Sequence, residues 1–139
     1  MGFSFSNFLK SKKEPISNQP IQKINFEGGT KYAENETSDV YLDFEELGGF
    51  PFIKTILIGD FPIKVKRDGC TLTFLFENET LTIHSDNTDI ESNSIKNSPF
   101  YISEIDFEID ENQATKIKNN PVLRIEYAIK NETYSFKTV

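Results

Sequence analysis

A chain of 139 residues with one cysteine is long enough to bury a core of its own and has no intramolecular disulfide, so a cystine-stapled secreted fold is excluded. Its formal net charge of −7 disfavours a nucleic-acid-binding domain, because such domains neutralise phosphates with lysine and arginine. No run approaches the roughly 18 apolar residues of a membrane-spanning helix and none has the order of a secretory signal, so the expected setting is cytoplasmic.

Residues 1–25 read as a mobile arm preceding a single β domain over 26–139. Phe5, Phe8 and Leu9 stand at i, i+3 and i+4, the spacing of one helical face. Lys10, Lys12 and Lys13 follow, and Pro15, Asn18, Gln19 and Pro20 form a linker-like stretch. Residues 1–31 set five lysines against Glu14 and Glu27, a balance of +3 that leaves −10 for the rest. Gly2 and Ser6 meet the loose N-myristoylation pattern, although the bulky Phe3 argues against it. The apolar–basic start makes a tether of Phe5, Phe8, Leu9, Lys10, Lys12 and Lys13, suited to a membrane surface or to docking.

In the body, Ile21–Phe26 predicts a first strand ended by Gly28-Gly29, and 30–39 a polar loop. Val40, Leu42 and Phe44 alternate with polar neighbours until Gly48-Gly49, which predicts a half-exposed strand. Phe52–Ile58 is nearly all apolar, as in a strand covered on both faces. Ile63 and Val65 lead to Arg67-Asp68-Gly69, a tight-turn signal before Leu72, Phe74 and Phe76. Residues 85–98 form the most polar loop. Phe100–Ile109 is the longest strand candidate, and Asp110 is placed to cap a short helix over 111–118 that ends before Pro121. A hairpin of 122–130 with 133–138 closes the chain.

Asn-Glu-Thr occurs at 35–37, 78–80 and 131–133, and the last two have alternating apolar residues on both sides. That is hairpin chemistry, in which asparagine is expected to supply positive φ. The total is eight or nine short strands with at most one or two short helices. The expected fold is all-β, an antiparallel sandwich whose long segments 27–39 and 85–98 cross between sheets, with a closed barrel as the alternative.

Catalytic groups are sparse. His84 is the only histidine, and with Asp86 and Asp89 it makes a weak metal candidate that lacks the nitrogen and sulfur ligands of a closed zinc site. Residues 86–91 offer hard oxygens without the glycine of an EF-hand loop. Neither glycine pair sits between a strand and a helix as a phosphate cradle would. No cofactor and no metal are expected. Cys70 reads as a small half-buried residue.

The sharpest electrostatic feature is the ladder Glu104, Asp106, Glu108 and Asp110 on one face of a strand. Like charges there repel unless cross-strand cations relieve them, and Lys64, Lys66, Arg124 and Lys130 are the expected neighbours. With those pairs formed the ladder is a balanced solvent face; as a functional surface the ladder, or the 85–98 loop, is an acidic docking site for a basic protein partner. Phe50-Pro51 and Phe61-Pro62 are expected to pack at the edge of the core, and would mark contact surface only where they stay exposed. The expected function is a non-catalytic cytoplasmic interaction module. The alternative is a carrier of a small, lipid-like ligand in an apolar barrel cavity.

Overall fold

A computed structural model describes residues 22–139; the tether candidates Phe5, Phe8, Leu9, Lys10, Lys12 and Lys13 lie outside the described residues. The described residues form eleven strands and one helix: β1 (Lys31–Glu34), β2 (Asp39–Leu47), β3 (Phe50–Gly59), β4 (Lys64–Val65), β5 (Cys70–Leu75), β6 (Thr80–His84), β7 (Ile90–Glu91), β8 (Asn93–Ser94), β9 (Tyr101–Glu108), α1 (Glu111–Asn119), β10 (Arg124–Ile129) and β11 (Glu132–Thr138). Nine of the strands make one antiparallel sheet in the order β6-β5-β10-β11-β1-β2-β3-β9-β8, and β4 pairs with β7.

The long sheet curls until its ends meet. Ser85, just past β6, bridges Phe107 of β9, and the Asp86 amide donates to the Asp106 carbonyl at 2.7 Å. Alternation along each strand turns every second side chain inward, including Val40 and Leu42, Ile53 and Leu57, Leu72 and Phe74, Ile105 and Phe107, and Ile125 and Tyr127. Phe107 and Tyr127 come from strands far apart in the sheet, yet their rings lie 6.3 Å apart. About eight strands enclose a space just wide enough for side chains to fill, and these residues, with Phe136, fill it.

The all-β class stands, with one short helix. Opposite halves of the sheet face each other across the core as in a sandwich, but hydrogen bonding runs unbroken around the curl, as in a barrel. The reason lies in the two long segments. The stretch read as a loop over 30–39 contributes β1 to the long sheet, and the one read as a loop over 85–98 contributes β7, paired with β4 in the two-stranded sheet, and β8 at the edge of the long one, so neither is an unpaired crossover between two packed sheets.

Helix α1 closes one end of the curl. Asp110 accepts from the Gln113 amide at 2.7 Å, and the Gln113 side chain accepts from the Asp110 amide at 3.0 Å, a reciprocal cap. Ala114 and Ile117 enter the core. At the other end, Ile63, Val65 and Ile90 around the β4–β7 pair join the same core.

Local expectations fared unevenly. The described part of Ile21–Phe26 is not a strand; Ile24 and Phe26 instead pack outside the sheet on Tyr41, Ile56, Ile58 and Phe100. All three Asn-Glu-Thr sequences sit at hairpin turns, but none of their asparagines has positive φ; at the third, Lys130 takes it. Asn35 works through its side chain, whose Oδ1 accepts from the Thr37 and Ser38 amides. Arg67-Asp68-Gly69 does turn the chain with positive φ at Arg67 and Gly69. The strands it separates do not pair, because β4 finds β7.

Candidate interaction surface

The β2–β3 hairpin turns through Gly48 (φ 60°) and Gly49 (φ 85°), a left-handed pair that suits a two-residue hairpin loop. Leu47 and Phe50 are the pair flanking that turn. Both are out of phase with the inward Leu42 and Ile53, so they point outward, and they are 75 % and 69 % exposed. The hairpin overhangs β9, whose pairing ends with Glu108 opposite Phe52, so among the described residues no third strand flanks its tip.

Charge collects on the same outer face. Across β2, β3 and β9 the register sets Tyr41, Ile56 and Glu104 in one row, Asp43, Lys54 and Asp106 in the next, and Glu45, Phe52 and Glu108 in the third. Lys54 is the only cation in these rows, and its Nζ lies 3.4 Å from Glu104. Asp106 Oδ1 is shut off from solvent and has no hydrogen-bond partner among the described residues. Burial, then the neighbouring Glu104, raises the Asp106 pKa above the ordinary aspartate range, with Asp86 and Glu45 adding to the rise and Lys54 opposing it. Beside these carboxylates a cleft of about 270 Å³ is lined by Leu47, Phe50, Phe52, Asp86, Asp106 and Glu108, among others.

The ladder therefore survives in part. Glu104, Asp106 and Glu108 share the outer face of β9, whereas Asp110 has left the strand to cap α1. The cations expected opposite them are elsewhere: Lys64 pairs in register with Glu91, Lys66 follows β4, Arg124 donates to the Ser135 hydroxyl on β11, and Lys130 follows β10. Lys54 takes their place because β3, not β4 or β10, is the neighbour of β9. Leu47 and Phe52 enter the site without having been singled out in the sequence, as does Glu45, legible only as the polar side of the Val40–Phe44 alternation.

The histidine group does not assemble. His84 is exposed near the seam of the curl, Asp89 Oδ1 accepts from the Arg67 amide at 2.9 Å, and Asn87 Oδ1 accepts from the Asp106 amide at 2.9 Å. Among the described residues no three His, Cys, Asp or Glu side chains gather as a metal-ligand set. The Cys70 thiol is buried, and burial pushes its pKa up to about 11, against a smaller opposing hydrogen bond from Ser85, so it is a poor nucleophile at neutral pH. Phe61 is half-buried, stacked on Tyr134 at 4.4 Å, which leaves Phe50-Pro51 as the Phe-Pro pair with a highly exposed ring.

No protein-family model, curated protein or solved structure matches the chain. Among the described residues, no helix is long and apolar enough to cross a membrane.

Proposed function

We propose that this protein is a non-catalytic interaction module of the cytoplasm. Its contact surface is the outer face of the β2–β3 hairpin together with the end of β9, and its partner is a protein segment presenting apolar and basic side chains together. One observation carries the reading: two large, highly exposed apolar side chains, Leu47 and Phe50, flank a two-glycine turn next to carboxylates that outnumber the single Lys54. Exposed apolar area rimmed by charge is the usual mark of a contact site, and the carboxylates would select a basic partner and speed its approach. The interior, filled by Phe74, Phe107, Tyr127 and Phe136, favours this module over a ligand carrier. A buried, high-pKa thiol and a histidine without a ligand set favour a non-catalytic role.

The test is a titration of the isotope-labelled protein with a synthetic peptide of alternating lysine and phenylalanine, followed by amide chemical shifts. Shifts should concentrate at Leu47, Phe50, Phe52 and Glu108, weaken with added salt, and shrink in the Phe50→Ala and Glu108→Lys variants. Shifts centred on another face, or binding indifferent to both substitutions, would refute this surface.

A further inference from the structure

A second question about this face is what covers it before a partner arrives, and the inference drawn here rests on the contact surface just proposed. Residues 1–21 contain Phe3, Phe5, Phe8 and Leu9, followed by Lys10, Lys12 and Lys13, with Glu14 as their sole acidic residue. This is apolar-plus-basic chemistry complementary to a shelf of Leu47, Phe50 and Phe52 beside Glu45, Asp106 and Glu108. The sign of the charge matters as much as its amount, since the chain beyond residue 31 carries a balance of −10.

The point at which this segment joins the fold is favourable. Lys23 Nζ donates to Asp39 Oδ1 at 3.0 Å, and Ile24 and Phe26 lie on the outer side of the same part of the sheet. From Asp39 to Leu47 the strand advances eight residues, about 27 Å at the usual rise. The nine residue-to-residue steps from Lys13 to Gln22 span about 30 Å when extended. That contour length is enough to bring the lysines to the acidic rows without any change in the described fold, and the aromatic residues before them to the hairpin tip.

We propose that residues 3–13 occupy the β2–β3 contact face of their own chain, so that a partner must displace them to bind. A short tether holds such a segment at an effective concentration in the millimolar range. Even a weak intrinsic affinity then leaves the face occupied for much of the time. Attraction between exposed charges of this kind is lost at high salt, which makes the occupancy reversible by ionic strength as well as by competition.

The experiment uses the full chain carrying S6C with a nitroxide on the new thiol; the native Cys70 is buried and is left in place. The amide resonances of Leu47, Phe50, Phe52 and Glu108 should broaden selectively, while those of Ser135 and Lys137 should not. The broadening should be independent of protein concentration. It should disappear in about 1 M salt, where the screening length falls to about 3 Å, and in the K10E/K12E/K13E variant. Broadening that is absent from this face, centred elsewhere, or rising with concentration as an arm from a second copy would produce, overturns the proposal.

A companion titration separates this proposal from the one beneath it. The lysine–phenylalanine peptide should bind the face of the K10E/K12E/K13E chain at least about twofold more tightly than that of the unaltered chain, because the tethered competitor has been removed. If the peptide binds the face equally in both chains and the spin label never visits it, self-occupancy fails and the contact surface stands. If the peptide binds the face of neither chain, the contact surface fails, and self-occupancy with it.

Discussion

Tyr127 allows the filled interior to be tested with a single oxygen atom. Its side chain is fully buried, and its ring packs edge-on to Phe136 at 6.0 Å and tilted against Phe107 at 6.3 Å. Its hydroxyl has no hydrogen-bond partner among the described residues. The Thr55 hydroxyl beside it weakly favours the phenolate, but donates its own proton to the Ile105 carbonyl at 2.7 Å. Burial raises the phenol pKa well above the ordinary tyrosine range. An unsatisfied buried hydroxyl costs about 1–3 kcal/mol, and removing it while keeping the ring leaves a void of one atom, at about 24 cal/mol per Å³ only a few tenths of a kcal/mol. Tyr127→Phe should therefore stabilise the protein by about 1–2 kcal/mol, whereas Tyr127→Ala, which empties the ring site, should cost about 3–5 kcal/mol. Urea unfolding reads both, and the denaturant slope for Tyr127→Phe should be unchanged. A loss of more than about 1 kcal/mol in Tyr127→Phe would refute the reasoning, since the hydroxyl would then have a partner such as a buried water, and the interior would not be dry.

Other substitutions probe the turns, the cap and the acidic face. Gly69 has φ +59°, and a Cβ there would meet the Ser85 hydroxyl and lie 2.8 Å from the Asn87 carbonyl oxygen; Gly48 has φ +60° with open space around it. Gly69→Ala should thus cost clearly more in a thermal melt than the roughly 1–2 kcal/mol of left-handed strain expected for Gly48→Ala, and equal losses would contradict the close approach. Asp110→Ala removes an acceptor of the α1 cap and should cost about 1 kcal/mol; no change in unfolding midpoint would mean that packing of Ala114 and Ile117 alone sets the helix start. Asp106 has a raised pKa, so its ionised form opposes folding at neutral pH, and that cost fades as pH falls through the raised value toward the ordinary aspartate value near 4. Asp106→Asn should accordingly be more stable than the parent at pH 7, by less than about 1 kcal/mol for a half-exposed group, with the gap narrowing on acidification. A gap that widens at low pH would place the upward shift elsewhere.

Features whose cause lies within a few residues were legible in the sequence. Helix α1 was visible because Asp110 is a helix-capping residue and Asn119-Asn120 before Pro121 ends what it begins; the reciprocal bond with Gln113 emerged only in the structure. The inward faces of β2, β5, β9 and β10 followed from alternation alone, because adjacent side chains on a strand must point in opposite directions. The break at Gly48-Gly49 followed from the left-handed backbone that glycine adopts without strain. From those local rules came the all-β class and three of the four acids of the ladder on one face, whereas the exposure of Phe50 was not among them.

The tertiary structure decided everything that depends on which strand lies beside which. Strands of two to four residues such as β1, β7 and β8 exist only because partner strands supply their hydrogen bonds, so their own composition read as loop, and β4, legible from Ile63 and Val65, has β7 as its partner and not the strand after its turn. Asp110 belonged by phase to the acidic ladder, yet the helix cap was worth more to it than the strand. The cation facing the ladder is Lys54, because β3 pairs with β9 in the register Lys54 to Asp106, and no local pattern encodes that pairing. The candidate surface is likewise a product of the curl, which sets Asp86, from the far end of the sheet, beside Asp106 and the Leu47–Phe50 shelf. Side-chain phase is a property of the strand alone; neighbourhood is a property of the closed sheet.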